Sequence, residues 1–147
     1  MSGTIAWRSL VRQSEFQKVY AEGAKSVGRF LVVYLLPATD AARAVVASRK
    51  VGGAVQRNRA KRLLREAFRK GTLGRAADVS GFSQRLSLSR GLAGAVSPDA
   101  GTPAQNLWVV LVARRAILAA GSAEVLDELD TLLRALLAEG DGTDART

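Results

Sequence analysis

The sequence contains no cysteine and no histidine among its 147 residues. Metal sites built on thiolate or imidazole, cysteine nucleophiles and histidine general bases are therefore all impossible. Disulfide cross-links are excluded as well, and we interpret their absence as consistent with a cytoplasmic protein. The length predicts one domain, residues 1–147, with a single modest core.

Long apolar runs and paired carboxylates are also missing. The longest apolar runs, Leu31 to Leu36 and Leu107 to Ala113, have the length of a β-strand and are far too short to span a membrane. Seven of the thirteen carboxylates lie between Glu124 and Asp144, and no pair is placed for acid–base catalysis. The sequence thus predicts no catalytic residue, no metal ligand set and no membrane partner.

Positive charge is concentrated in one segment. Residues 43–75 contain eleven Lys or Arg and a single acid, Glu66, whereas the net charge of the whole chain is only +9. The remainder of the chain is therefore close to neutral. Such a concentration favours a polyanionic partner, because each neutralised phosphate releases a condensed counterion.

The basic segment has a helical pattern from Ala54 to Arg69 or Lys70, between two glycine sites. At about 100° per residue, one side carries the apolar positions Ala60, Leu63, Leu64, Ala67 and Phe68. The opposite side, called the basic face below, carries Asn58, Lys61, Arg62, Arg65 and Arg69, with Arg57 and Arg59 flanking it. An ordinary solvated face is the alternative, but such faces usually mix charge signs. Arginines near the helix start also oppose the helix dipole, so we interpret this side as a binding surface.

Weaker patterns predict the other elements. Helices are predicted over residues 14–21 and 123–138, and strands over residues 30–36, 44–48 and 107–113. We expect the first two strands to pair antiparallel through a short turn, with Pro37 ending the first. In the first helix Phe16 and Tyr20 share one side with Val19, and for one of these two rings plain core packing is an equal alternative to a functional role.

Residues 71–105 lack any sustained period and are rich in Gly and Ser. We interpret them as a flexible surface insertion, because long structureless connections are uncommon inside compact domains. Its arginines, Arg75, Arg85 and Arg90, could add phosphate contacts, although a tolerated linker is the simpler interpretation. The polar tail from about residue 140 is expected to fray.

The central segment resembles the protein subunit of bacterial ribonuclease P. The resemblance rests on Arg57-Asn58-Arg59, on the run from Lys61 to Arg69, and on Ser48 to Gly52 and Ala54-Val55 before it. It implies an α+β sandwich of the order α-β-β-β-α-β-α, similar to the second domain of small-subunit ribosomal protein five. It also implies a short extra strand near Lys25 to Arg29 and a left-handed βαβ crossover, although handedness rules alone favour a right-handed one.

The resemblance implies that the protein works together with a catalytic RNA subunit. In that family the RNA subunit holds the catalytic magnesium, and the protein binds this RNA and the 5′ leader of precursor tRNA. The RNA-binding residues implied for this chain are Arg49, Lys50, Arg57, Asn58, Arg59, Lys61, Arg62, Arg65 and Arg69. A leader cleft between the first helix and the sheet would be lined by Phe16, Tyr20 and Tyr34. No obligate protein partner is evident.

Two other functional classes remain as alternatives. A non-enzymatic RNA-binding module such as a ribosomal protein would also need a basic helix, whereas a helix-turn-helix reader would need a second helix before it. A strand-like segment, residues 44–48, precedes the basic helix instead. A protein-only nuclease is disfavoured because the acid and base groups that hydrolysis requires are missing.

Overall fold

The computed structural model describes residues 7–74, 79, 81–86 and 106–139. In chain order the elements are β1 (Arg8–Ser9), α1 (Gln13–Glu22), β2 (Ala24–Val27), β3 (Leu31–Ala38), β4 (Ala42–Val46), α2 (Ala54–Lys70), α3 (79 and 81–86), β5 (Asn106–Ala113) and α4 (Ser122–Glu139). Short 3-10 helices occupy Thr72–Gly74 and Arg115–Ala119. The predicted α+β class is confirmed, and β1 and α3 are additions to the expected order.

The five strands form one mixed sheet in the order β1-β4-β5-β3-β2. β5 lies between β3 and β4, antiparallel to the first and parallel to the second. The predicted antiparallel pairing of β3 with β4 is therefore wrong. β5 is mainly buried along its length, which favours a central place in the sheet, and a short turn between two strands does not exclude the later insertion of a third. β4, α2 and β5 form a βαβ crossover, whose left-handed sense stays a prediction.

Pro37 does not end β3, which continues to Ala38. Main-chain groups of odd-numbered residues in β3 face β2, since the carbonyl of Leu31 accepts a 2.8 Å hydrogen bond from the N–H of Gly28. β2 begins only at Ala24, opposite Leu35. Pro37 consequently has no strand beside it on that side, and its missing N–H removes no ladder hydrogen bond.

The two faces of the sheet are covered unequally. Odd-numbered residues of β3 and β5, such as Val33 and Leu111, belong to the main core with α2 and α4. Even-numbered residues face α1 and form a smaller cluster in which Tyr34, Val46 and Val112 are only partly buried. Alternation along each strand produces this division. The second face is the one that stays accessible beside α1.

The segment predicted as a flexible insertion at residues 71–105 begins within the core. Leu73, Val79, Phe82 and Leu86 are all buried there, so this part is packed structure rather than a surface linker. The spacing of three and four residues from Val79 through Phe82 to Leu86 is a helical signal, but it is too short to stand out among the surrounding glycines. Arg85 is exposed. The remaining insertion residues, including Arg75 and Arg90, and the tail from 140 lie outside the described residues.

Glu128 ties α4 to the start of β3. Its carboxylate accepts hydrogen bonds from the backbone N–H groups of Arg29, Phe30 and Leu31, at 3.0, 2.7 and 3.0 Å. The first two of these donors lie between β2 and β3, outside both strands. One side chain therefore holds the turn between β2 and β3 against the helix.

We expect Glu128→Ala to lower the free energy of unfolding by about 1–3 kcal/mol, because partly buried donors lose their acceptor. Glu128→Gln retains one acceptor oxygen and should lose less. Urea titrations monitored by circular dichroism would measure the free energy of unfolding of both variants. Asp127→Ala, at an exposed neighbouring position, is the control and should stay within about 0.5 kcal/mol of wild type. Equal stability of the Glu128→Ala and Asp127→Ala proteins would contradict the anchoring role.

Candidate nucleic-acid interface

The start of α2 is built by glycine and glutamine. Gly52 has φ of +150°, a conformation that side chains disfavour, and the Gln56 side chain accepts a 2.7 Å hydrogen bond from the N–H of Gly53. The chain can thus turn sharply out of the loop after β4 and begin the helix at Ala54. This turn places the Arg57-Asn58-Arg59 motif in the first turns of the helix.

The two predicted sides of α2 are confirmed. All five apolar positions are buried, Phe68 and Leu64 almost completely. On the basic face, Asn58, Arg62, Arg65 and Arg69 are exposed and Lys61 is half-buried; Arg59 beside them is exposed. The helix packs on the core through its apolar side, which leaves the exposed basic side chains available to a ligand. Their contacts with RNA stay a prediction.

Arg57 differs from the other arginines of α2. It is half-buried, and its Nη1 donates a 3.1 Å hydrogen bond to the carbonyl oxygen of Gly52. This bond ties the helix back to the strained glycine turn. Arg57 therefore has a structural role, in addition to any contact that its remaining N–H groups make with RNA.

The positive charge of α2 is hardly compensated. Its one acid, Glu66, is paired with Lys70 at 2.8 Å on the helix surface. The hydrogen bond from Lys70, and then its charge, lower the pKa of the Glu66 carboxyl. Within the described part of the chain, no other residue of α2 takes part in a salt bridge. The remaining cations of the basic face thus lack an acidic partner there.

Phe16, Tyr20 and Tyr34 lie together, and we call them the aromatic cluster. The ring centroids of Phe16 and Tyr20 are 6.3 Å apart, and those of Tyr20 and Tyr34 are 4.8 Å apart with an edge-on arrangement. Tyr20 is 43% exposed, and the other two are half-buried. Partial burial raises the pKa of the Tyr20 hydroxyl. Rings of this exposure between a helix and an open sheet face can accept a stacked base.

A lysine lies beside the aromatic cluster, and sequence reasoning missed it. Lys25 pairs with Tyr34 across β2 and β3, and its Nζ is 5.7 Å from the ring centroid. Only the resemblance indicated β2, so nothing placed Lys25 beside this ring. Arg49 and Lys50 are exposed in the turn between β4 and α2. Their position at the edge of a leader cleft stays a prediction.

A polar network fixes α1 to the sheet. Arg8 bonds Glu15 of α1 at 3.0 Å and Asp40 at 2.7 Å, and Asp40 also accepts the Trp108 Nε1–H at 2.8 Å. Burial alone would raise the pKa of both carboxyls, but the hydrogen bonds from Arg8 and their other donors outweigh it and lower both values. A lowered carboxyl pKa stabilises the fold above the unfolded-state value and ceases to do so as the pH falls through the folded-state value. The network thus holds the aromatic cluster in place near neutral pH.

Neither a metal cluster nor a membrane span is found in the part of the chain that the structure describes. No group of three or more acidic side chains there could hold a metal ion. No helix there is long and apolar enough to cross a membrane.

Comparisons with solved structures show the fold. The RNase P protein of Staphylococcus aureus superposes with a TM-score of 0.55 at 18% identity, over 88% of this chain and 95% of that one. The RNase P protein from Thermotoga maritima superposes with a TM-score of 0.56 at 19% identity, over 86% of this chain and 96% of that one.

Sequence comparisons show the family. The ribonuclease P protein component of Coprothermobacter proteolyticus is 48% identical over 63 residues, which are 42% of this chain and 53% of the relative. That of Clostridioides difficile is 41% identical over 64 residues, 42% of this chain and 56% of the relative. The chain therefore spans about half the length of the curated relatives it matches. The ribonuclease P family model matches residues 7–79, which include α1, the aromatic cluster and α2, and the chain belongs to this family.

Proposed function

We propose that this chain is the protein component of a ribonuclease P, in which it assists a catalytic RNA in removing the 5′ leader from precursor tRNA. The observation that carries the proposal is α2. Its motif from Arg57 to Arg69 forms a helix that buries only apolar residues and presents a basic side with hardly any acid. A partner rich in phosphate is the natural complement of that side.

The basic face of α2 would bind the RNA subunit. Arginine suits this task because its planar guanidinium bonds two phosphate oxygens at once. Exposed arginines spaced three or four residues apart, such as Arg62, Arg65 and Arg69, lie along one line of the helix and can follow a phosphate backbone. Contacts of this kind position an RNA without reading its sequence.

The aromatic cluster would bind the leader. Single-stranded bases stack on exposed aromatic rings with little sequence preference, which suits an enzyme that acts on many precursors. Lys25, Arg49 and Lys50 would supply charge for the leader phosphates. Mature tRNA has no leader, so the cluster would favour the substrate over the product.

Hydrolysis would be left to the RNA subunit, together with the magnesium ions that it requires. This division of labour is supported by the absence of His and Cys from the sequence and by the lack of a metal-binding acidic group among the described residues. The chain would bind and orient, and the RNA would cleave. We place the protein in the cytoplasm, a location that suits a chain without cysteine.

Reconstitution tests the proposal. Adding the purified protein to a bacterial ribonuclease P RNA at low magnesium concentration should restore cleavage of precursor tRNA, whereas the protein alone should leave the precursor intact. The product's 5′ end would be mapped on a sequencing gel, with the Arg59→Ala/Arg62→Ala/Arg69→Ala protein as a matched control for non-specific charge screening. Cleavage by the protein without the RNA would contradict the division of labour. Binding without any stimulation would favour an RNA-binding module outside this enzyme.

A further inference from the structure

A cavity of about 270 Å³ opens at the outer edge of the sheet, between α1 and α2. We call it the edge cavity. It is lined by Ser9, Leu10, Phe16, Arg43, Ala44, Val45, Arg65 and Phe68. β1 pairs only with Ala42 and Arg43, so β4 has no strand beside it beyond that point. The cavity occupies the space where a longer β1 would run. One water molecule needs only ~10–15 Å³ of such space, so a much larger group can enter.

Both charged residues that line the edge cavity are cations. Arg43, on β4, lies with its guanidinium carbon 4.9 Å from the centroid of the Phe68 ring. Within the described residues neither Arg43 nor Arg65 forms a salt bridge. Burial, followed by repulsion from Arg65, lowers the pKa of Arg43. Two cations are thus held near each other at a partly buried place without an anion.

The other polar groups around the edge cavity include donors that suit an anion. The carbonyl of Arg43 accepts a hydrogen bond from the N–H of Leu10, at 3.0 Å, on the outer side of β4. Main-chain groups two residues apart in a strand point to the same side, so the N–H and the C=O of Val45 also point to this open edge, and the N–H is the donor among them. Ser9 adds a hydroxyl. Arginine, serine and backbone N–H groups are the usual ligands of RNA phosphate oxygens.

We propose that the edge cavity binds one phosphodiester of single-stranded RNA, held between Arg43 and Arg65. This proposal rests on the proposed function, because the RNA strand in question is the leader whose bases stack on the aromatic cluster. Phe16 belongs to that cluster and also lines the cavity, whereas Arg65 belongs to the basic face. A strand that leaves the rings therefore meets this phosphate site where it reaches α2. Arg43 is then a phosphate-binding residue that lies between the aromatic cluster and the basic face.

The test uses the full chain and a fluorescently labelled, unstructured RNA oligonucleotide, titrated at several KCl concentrations. Arg43→Gln should weaken binding about tenfold, as expected for one good contact. The slope of log affinity against log salt should become shallower by ~0.7, the value for one phosphate of a single strand. Arg29→Gln is the matched control, because Arg29 also lies over an aromatic ring, that of Phe30, at 5.5 Å. Arg29 lies beside acidic residues of α4 and does not line the edge cavity.

A second variant keeps the test decisive if Arg43→Gln perturbs packing on Phe68. Arg65 is exposed, so Arg65→Gln should melt like wild type and weaken the same binding. If both arginines hold one phosphate, the double variant should lose less than the product of the two single effects. Equal affinities of the Arg43→Gln and Arg29→Gln proteins, or fully multiplicative effects, would overturn the shared site.

Two further outcomes distinguish an RNA phosphate site from a site for free inorganic phosphate, and the phosphate site from the proposed function. The first experiment adds inorganic phosphate and records the guanidinium NMR signals of the arginines, which shift if the cavity binds the free ion. A response there that depends on Arg43, with unchanged RNA binding in Arg43→Gln, would overturn the RNA assignment. Failure of reconstitution while Arg43→Gln still weakens oligonucleotide binding would contradict the proposed function and leave the phosphate site standing.

Discussion

Replacing Arg59, Arg62 and Arg69 together by alanine is expected to weaken binding to the ribonuclease P RNA by about 1–3 kcal/mol for each phosphate that is no longer bound. All three side chains are exposed on α2, outside the edge cavity and away from the buried Leu64 and Phe68. The slope of log affinity against log salt should fall by about 2–3, because three fewer phosphates are neutralised. Filter binding across a KCl series would measure both quantities.

The matched control for this experiment removes the same charge elsewhere. Arg12, Arg115 and Arg134 are exposed on three separated elements, so their replacement by alanine lowers the net charge equally without touching α2. We expect only a small loss of RNA affinity, caused by the weaker overall electrostatic field of the less positively charged protein. Equal losses in the two triple variants would show that net charge alone, and no defined face, attracts the RNA. Thermal melts should show both variants folded, because exposed substitutions usually change stability by less than about 0.5 kcal/mol.

Replacing Tyr20 and Tyr34 together by leucine should remove the preference of the assembled enzyme for precursor over mature tRNA. Removing each stacked ring is expected to cost ~1–3 kcal/mol of binding for the precursor and almost nothing for the mature tRNA, which has no leader. Leucine retains apolar bulk beside the half-buried sheet face, so the stability loss should be modest. The measurement is the ratio of the two dissociation constants, obtained with the RNA subunit present.

Phe30→Leu is the control for the aromatic substitution. Phe30 is half-buried against the main core, on the side of α2 and α4, and does not belong to the aromatic cluster. Its replacement should leave the ratio of dissociation constants unchanged even if it lowers the melting temperature. An unchanged ratio in the tyrosine variant, accompanied by a lowered melting temperature, would identify Tyr34 as packing. The leader site would then lie elsewhere on the protein.

Local patterns were sufficient to predict α2 and its two sides. The helical period over Ala54 to Lys70 is long, and the apolar and basic positions separate without knowledge of any neighbour. The same holds for the leucine-rich α4. Net charge and the absence of His and Cys were likewise visible in the sequence, and they limit the chemistry without reference to a fold. The basic face could therefore be proposed as a binding surface from its residue pattern alone.

Long-range packing determined which strands are neighbours and which side chains meet. β5 enters between β3 and β4 from more than fifty residues along the chain, and the choice depends on burial of the whole sheet rather than on the turn between the two earlier strands. Arg43 near Arg65 across the edge of β4 is likewise a result of packing between distant segments, whereas Lys25 lies beside Tyr34 because β2 pairs with β3. The order of residues was enough to show that this protein carries a helix suited to phosphate. The packing of α1, the sheet and α2 set where single-stranded RNA could pass between the rings and that helix, because positions far apart in sequence come together only when the core forms.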